Sequence, residues 1–336
     1  MKTQKLYQQG LIKAKKGNYR GALNDLNQVI DRDPQYAIAY SNRGLLYYYL
    51  RDYKKAVKDL NRALRIDPKL PDAYLNRGNA WRHLGETQKA IQDLNKALRL
   101  NSKSDVTYNN LGLAMAQIGE YEAAIDYYNQ ALKLNYENYK TYYNRGRAYY
   151  LSGKKEAAVQ DFNQTLNLRP NYIKAYLNRG LGEAQLGETQ KAISDYNSAL
   201  QIDQYNVYAY YNRGCAYYSL KQMQAAIDDF DRAIELDPNY IKAYLNRGLA
   251  RYKMGDQTSA NKDFYHVMCV NADAYVYYQA QRGSSSDQSY SRQAPQVEVH
   301  QKKGEYFYTT FLNGIWDTAD LNQRESTICE AEFINH

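Results

Sequence analysis

The feature that most constrains this 336-residue chain is a strict period of 34. From Thr3 to Ala274, eight blocks of 34 residues follow one another without insertion or deletion. Block position 8 is always glycine (Gly10, Gly44, Gly78, Gly112, Gly146, Gly180, Gly214, Gly248) and position 20 always alanine (Ala22, Ala56, Ala90, Ala124, Ala158, Ala192, Ala226, Ala260). With glycine at about 7% of residues, such agreement at one preset position has a chance on the order of 10⁻⁹. The chain is an array of one repeated unit, and what one block can do decides the fold.

Within a block, apolar residues recur at positions 4, 8 and 11 and again at 20, 24 and 27, the spacing of one helix face, twice. Glycine near position 15 (Gly17, Gly85, Gly119, Gly153, Gly187, Gly255) closes the first helix, because it takes positive φ at little cost. Proline at position 32 (Pro34, Pro68, Pro170, Pro238) stops the second, since it cannot donate to the helical ladder. Each block thus predicts an αα-hairpin, with the small residues at 8 and 20 letting two backbones approach closely. One hairpin cannot bury its apolar stripe alone, so the expected fold is an all-α solenoid of stacked hairpins. Its eight repeats are 3–36, 37–70, 71–104, 105–138, 139–172, 173–206, 207–240 and 241–274.

Composition narrows the class further. A mean hydropathy of -0.79 and no apolar run near the roughly 18 residues of a span argue against a transmembrane protein. The opening MKTQKLYQQG lacks the apolar core of a signal peptide. Three widely spaced cysteines, Cys215, Cys269 and Cys329, form neither a disulfide framework nor a zinc motif, so a reducing, cytoplasmic compartment is the expectation.

The segments Tyr40-Ser-Asn-Arg-Gly44, Tyr176-Leu-Asn-Arg-Gly180 and Tyr244-Leu-Asn-Arg-Gly248, each followed by alanine at 20 and often by Asp-Pro at 31 and 32, resemble tetratricopeptide repeats. The resemblance covers about four fifths of the chain. It implies a right-handed superhelix whose first helices line a concave groove, and hence a scaffold or adaptor that binds peptides or other proteins.

The family usually places leucine at position 7, whereas this chain has Arg43, Arg77, Arg145, Arg179, Arg213 and Arg247 there. A charge in that stripe needs a counter-charge, and position 23 of the same six blocks supplies Asp59, Asp93, Asp161, Asp195, Asp229 and Asp263. The fourth block has Leu111 and Tyr127 instead. The pattern predicts a structural ion pair inside each of the six blocks.

By the same periodicity the open face of the first helix is positions 2, 5, 6, 9, 12 and 13. Position 6 is asparagine through seven blocks: Asn42, Asn76, Asn110, Asn144, Asn178, Asn212 and Asn246. An asparagine carries a donor and an acceptor, so such a ladder suits the amide groups of an extended peptide, as in the asparagine-lined grooves of some family members. A hydrogen bond to the adjacent helix is the alternative. Around the ladder stand Lys140, Tyr143, Arg147 and Tyr150, then Lys174, Leu177 and Leu181, then Tyr208, Tyr211 and Tyr218, then Lys242, Leu245, Leu249, Tyr252 and Lys253. Cations mixed with aromatic and aliphatic surface suit an acidic segment with apolar anchors. A weaker version of the pattern occurs at Tyr48, Tyr49, Arg82 and His83. The family's two-carboxylate clamp is not reproduced, because Leu75, Asn79, Asn110, Lys140 and Asn144 lack two of its three cations.

Residues 275–282 read as a capping helix and 283–303 as a linker. Residues 304–336 carry Tyr306, Phe307, Tyr308, Phe311, Trp316 and Phe333 with six acidic residues against Arg324 alone. That is a net charge of −5 in a chain of +8 overall, so the rest holds +13. Two readings stay open: a flexible tail, or a segment that docks into the groove of its own or another copy.

Among function classes, an interaction scaffold leads, and RNA binding is the alternative suggested by a pI of about 9.0. The scattered His83, His266, His300 and His336 and the absence of a phosphate-loop or zinc-protease motif give no expectation of an enzyme, a cofactor or a metal.

Overall fold

The computed structural model describes residues 2–270, and the capping helix, linker and tail expected at 275–336 lie outside them. Among the described residues there are sixteen α-helices and no strand. They form eight consecutive pairs: α1 (Lys2–Lys15) with α2 (Tyr19–Arg32), α3 (Ala37–Tyr49) with α4 (Tyr53–Ile66), α5 (Pro71–His83) with α6 (Thr87–Leu100), and α7 (Asp105–Gln117) with α8 (Tyr121–Leu134). There follow α9 (Tyr139–Leu151) with α10 (Lys155–Leu168), α11 (Ile173–Gln185) with α12 (Thr189–Ile202), α13 (Val207–Ser219) with α14 (Met223–Leu236), and α15 (Ile241–Lys253) with α16 (Gln257–Val270). The pairs fall into two compact units, α1–α10 and α11–α16, parted between Arg169 and Pro170.

Within each unit the second helix of a pair also packs on the first helix of the next, as α4 does on α5 and α12 on α13. Neighbouring first helices touch as well, among them α3 with α5 and α11 with α13. Stacking is what buries the alanines at position 20, which have no exposed surface in any of the eight blocks. The glycine at position 8 sits against the side chain at position 24. A Cβ built on Gly44 would stand 2.7 Å from Leu60 Cγ, and one on Gly112 would stand 2.5 Å from the ring of Tyr128. Bulky residues at 24 therefore require glycine at 8, which explains the invariance of the register.

The turn glycines adopt the positive φ their type allows, from 77° at Gly17 to 89° at Gly255. Arg51 and Lys221 hold the same position in the second and seventh blocks with φ of 61° and 60°, a conformation that costs a residue with a Cβ roughly 1 kcal/mol. Each expected proline stop holds: α2, α4, α10 and α14 end two residues before Pro34, Pro68, Pro170 and Pro238.

Two substitutions test this geometry by urea denaturation. Gly112→Ala should lose about 1–3 kcal/mol, because Tyr128 is fully buried and cannot yield, while Lys221→Gly should gain about 1 kcal/mol. An unchanged midpoint for Gly112→Ala would mean that the helices separate at no cost.

Candidate functional site

The first helices place the residues at issue, and the arginines at position 7 settle how that face is built. Each of the six donates from Nε and Nη2 to both carboxylate oxygens of the aspartate at position 23 of its own block, at 2.5–3.0 Å. Each guanidinium also lies over the tyrosine three residues earlier, with Cζ 5.2–5.6 Å from the ring centroids of Tyr40, Tyr74, Tyr142, Tyr176, Tyr210 and Tyr244. The third arm, Nη1, reaches back to the second helix of the preceding block. It donates to Asn27, Asn61, Asn129 and Asn197, and in the last block to Asp231, at 2.5–2.8 Å. The expected intra-block bridge is present in all six blocks, and it is also a tie between blocks. Its sequence signal is the asparagine at position 25, which recurs in the first six blocks.

These pairs are largely removed from water: the arginine side chains are 13–20% exposed and the aspartates 4–10%. Hydrogen bonding to Asp59 and Asp229 holds Arg43 and Arg213 above the usual guanidinium range, against the opposing effect of burial. Burial holds Asp161, Asp195 and Asp229 above the usual carboxylate range despite the pull of their arginines. Desolvation thus offsets much of the attraction, and the node's main effect is to set the geometry. In the fourth block Leu111 and Tyr127 make an apolar contact of the same place, beside Ile91 and Leu94.

The pairing of arginine with aspartate is less strict than the sequence pattern suggested. The first block also has aspartate at 23, Asp25, although position 7 is Gln9; there Lys13, at position 11, supplies the cation at 2.7 Å. Arg251 repeats that geometry in the last block, bonding Asp263 at 2.9 Å. Glu183 occupies position 11 in the sixth block, against Asp195. Burial and then the Asp195 charge push its carboxyl up to about 7, and its Oε2 is buried with no geometric hydrogen bond among the described residues.

Position 6 does not face open solvent in the way the periodicity suggested. Asn178, Asn212, Asn246 and Asn110 are buried, and Asn42, Asn76 and Asn144 are half-buried. Adjacent first helices meet along this row. Asn42 donates from Nδ2 to the Tyr7 hydroxyl (2.7 Å), Asn144 to Asn109 Oδ1 (3.1 Å) and Asn246 to the Tyr211 hydroxyl (2.9 Å), each reaching position 5 of the preceding block. Asn110 turns to Val106 O of its own helix (2.9 Å). The donors of Asn42, Asn144 and Asn246 are therefore engaged in joining first helices. The Oδ1 of Asn212 is buried and accepts no hydrogen bond among the described residues.

In the first unit, α9 presents an exposed Lys140 with half-buried Arg147 and Tyr150. Tyr143 is buried rather than open, because it packs on Phe162 (5.9 Å) beneath Arg147 (6.0 Å). Further along that unit Tyr48, Tyr53 and His83 cluster: Tyr53 stacks on the His83 ring at 4.7 Å, and the Tyr48 hydroxyl lies 3.0 Å from its Nε2. Burial, then the Arg82 and Arg51 charges, lower the affinity of His83 for a proton. In the second unit Lys174 and Lys242 are half-buried on α11 and α15. Tyr211 is buried between Phe230 (5.9 Å) and Tyr240 (4.9 Å), and Tyr218 is buried under Lys253 Nζ (4.9 Å). Positions 2, 5, 6, 9, 12 and 13 of α11, α13 and α15 include three lysines and no carboxylate.

Residues 7–71, 42–105, 109–173 and 207–240 match tetratricopeptide repeat families, and 183–221 matches a TPR repeat family. The chain belongs to the tetratricopeptide repeat family. Among solved structures, a tetratricopeptide repeat protein from Parabacteroides merdae ATCC 43184 is 20% identical with a TM-score of 0.56, over 74% of this chain and 98% of that one. PilW, a widely conserved type IV pilus biogenesis factor, is 20% identical with a TM-score of 0.57, over 60% and 94%. The APC/C hetero-tetramer Cut9-Hcn1 is 19% identical with a TM-score of 0.58, over 69% of this chain and 48% of that one. At these identities the likeness shows the repeat fold alone. No curated protein matches the chain. Family and fold support a protein-interaction scaffold, and among the described residues no helix is long and apolar enough to cross a membrane.

Two expectations follow from the nodes. Asp229→Ala, which leaves Arg213 buried without its carboxylate, should lose about 3–5 kcal/mol, and the double variant Arg213→Leu, Asp229→Tyr should recover most of it, because the fourth block carries that pair naturally. Equal losses in the single and double variants, measured by urea denaturation, would contradict this. For Glu183 the folded carboxyl keeps its proton up to about 7, whereas the unfolded one releases it near 4.5, so stability falls as pH rises through that window. Glu183→Arg should abolish this loss and raise the melting temperature above pH 7, by placing a cation where Arg251 sits in the last block; a lower melting temperature there would refute the assignment.

Proposed function

We propose that the chain is a scaffold that holds an extended, acidic peptide segment of another protein against its first-helix faces. One observation carries the reading. The six arginines of the repeat are taken up by aspartates, and the first-helix positions of the second unit add Lys174, Lys242 and Lys253, set among Tyr208, Leu245 and Tyr252. Cations beside apolar and aromatic surface suit a ligand that alternates carboxylates with apolar anchors. On α9 of the first unit, Lys140, Arg147 and Tyr150, with Tyr143 buried beneath them, form a second such surface.

In this reading the asparagine row, Asn42, Asn76, Asn110, Asn144, Asn178, Asn212 and Asn246, contributes acceptors rather than a free ladder of amides. The amide donors of Asn42, Asn144 and Asn246 tie neighbouring first helices. Tyr211 and Tyr218 stiffen the surface from beneath.

Calorimetric titration with a synthetic peptide of alternating Glu and Leu carrying tyrosine anchors tests the proposal. Binding is expected to the full chain, weakening roughly tenfold in Lys174→Glu, Lys242→Glu and falling with salt. Preference for the same peptide with Lys in place of Glu, or binding of single-stranded RNA that the lysine substitutions abolish, would overturn it.

A further inference from the structure

We infer that Arg51, Arg82 and His83, with the Tyr48 hydroxyl, form a site in the first unit for the phosphoryl group of a phosphorylated tyrosine on a partner protein. The site shares no residue with the surfaces of the acidic-peptide reading and is separate from it. Each of the six repeat arginines holds an aspartate, whereas Arg82, at position 12 of the third block, holds no carboxylate among the described residues. Its Nε is buried without a hydrogen bond there, and its Nη2 lies 3.3 Å from His83 Nε2. Arg51, in the turn between α3 and α4, is exposed and likewise pairs with no carboxylate among the described residues. The acids nearest to them in the chain, Asp52 and Glu86, hold Lys55 at 2.8 Å and Lys89 at 3.2 Å instead.

The Tyr48 hydroxyl of α3 lies 3.0 Å from the same Nε2, and Tyr53 of α4 covers one face of the imidazole at 4.7 Å. A guanidinium can only donate, so Nε2 bears the lone pair and the ring is neutral, with its proton on Nδ1. The charges that act on this ring are those of Arg82 and Arg51, both positive. Two fixed cations thus stand beside a third that is held neutral by its neighbours. A single carboxylate needs one arginine, as the repeat nodes show at 2.5–3.0 Å. A phosphoryl group carries about −1.5 to −2 charges at pH 7 and three acceptor oxygens, which match two guanidinium groups and a protonated His83. As the anion enters, Arg82 Nη2 turns from the imidazole to a phosphoryl oxygen, and Nε2 takes a proton from solvent and donates it in a hydrogen bond to the same group. Binding and proton uptake are one rearrangement, and each favours the other by linkage. The neighbouring aromatic surface selects an aryl ester. Tyr49 is 55% exposed, stacked on Tyr19 at 5.6 Å and edge-on to Tyr48 at 6.0 Å, so the ring of a phosphotyrosine has an aromatic face to lie against.

Phenyl phosphate titrated into the full chain, followed by calorimetry and histidine NMR, tests the site; His83→Gln identifies the His83 signal. The titration midpoint of His83 is expected to rise by about two pH units when phenyl phosphate saturates the protein. Affinity should increase about tenfold from about pH 8.5 to 6.5, and His83→Gln should lose that gain. Arg82→Gln should weaken binding at least about tenfold at both pH values. Arg51→Gly removes a cation and relieves a positive φ of 61°, so it should raise the melting temperature while weakening binding about threefold, a loss that no folding defect can explain. Phenylacetate, with one charge, should bind about tenfold more weakly than phenyl phosphate. A His83 midpoint that phenyl phosphate leaves in place, unchanged binding in Arg82→Gln, or equal affinity for phenylacetate overturns the site. Inorganic phosphate or AMP binding as tightly as phenyl phosphate overturns the assignment to phosphotyrosine, in favour of a free ion or a nucleotide respectively.

Discussion

The structure depends on the guanidinium at position 7. It grips one aspartate with two arms, lies on a tyrosine one turn back, and extends its remaining arm to the previous block. A neutral leucine there would pack the two helices of a block equally well, as Leu111 does in the fourth. What leucine cannot do is specify which residue of the preceding block comes opposite. A planar, five-donor group does specify it, because its hydrogen bonds fail if the helices slide. Register is therefore set by directional bonds, while apolar burial along positions 20 and 24 supplies the driving force.

That division of labour decides which charges are available to a ligand. The basic character of the chain suggests a surface rich in arginine, yet the six repeat arginines are turned inward and neutralised. Lys174, Lys242 and Lys253 stand near the ends of the first helices of the second unit. Such groups favour carboxylates over planar bases and tolerate varied sequences. The departures from the repeat carry information too. Lys13 stands in for the missing arginine in the first hairpin, and Arg251 adds a second cation in the last described one. Glu183 puts an acid in the same place and makes one hairpin of the second unit sensitive to pH.

Much of this was legible in the residues. Glycine at 8, alanine at 20, glycine at 15 and proline at 32 define the hairpin because each answers a backbone requirement that no other residue meets as well. The Arg–Asp pairs were visible because both members vary together in the fourth block. The asparagine row was legible as a row but not in its role. Periodicity places position 6 on the side of the first helix away from its partner, whereas the next first helix covers it, a relation between blocks that a single helical wheel does not contain. The asparagine at 25 recurs in six blocks, and its role is hidden for the same reason, since its partner lies in the following block. Tyr211 and Tyr218 show the other limit: a tyrosine on an outward position can still fold back onto its neighbours.

The central claim is that the arginines that hold the repeats together and the lysines proposed to meet a ligand are separate sets. A crystal structure of the full chain bound to the acidic peptide tests it most directly. The account expects carboxylates of the bound segment on Lys174, Lys242 and Lys253, with Arg179, Arg213 and Arg247 still holding Asp195, Asp229 and Asp263. A segment seated on the second helices, or one whose carboxylates pull any of those arginines from its aspartate, would contradict it.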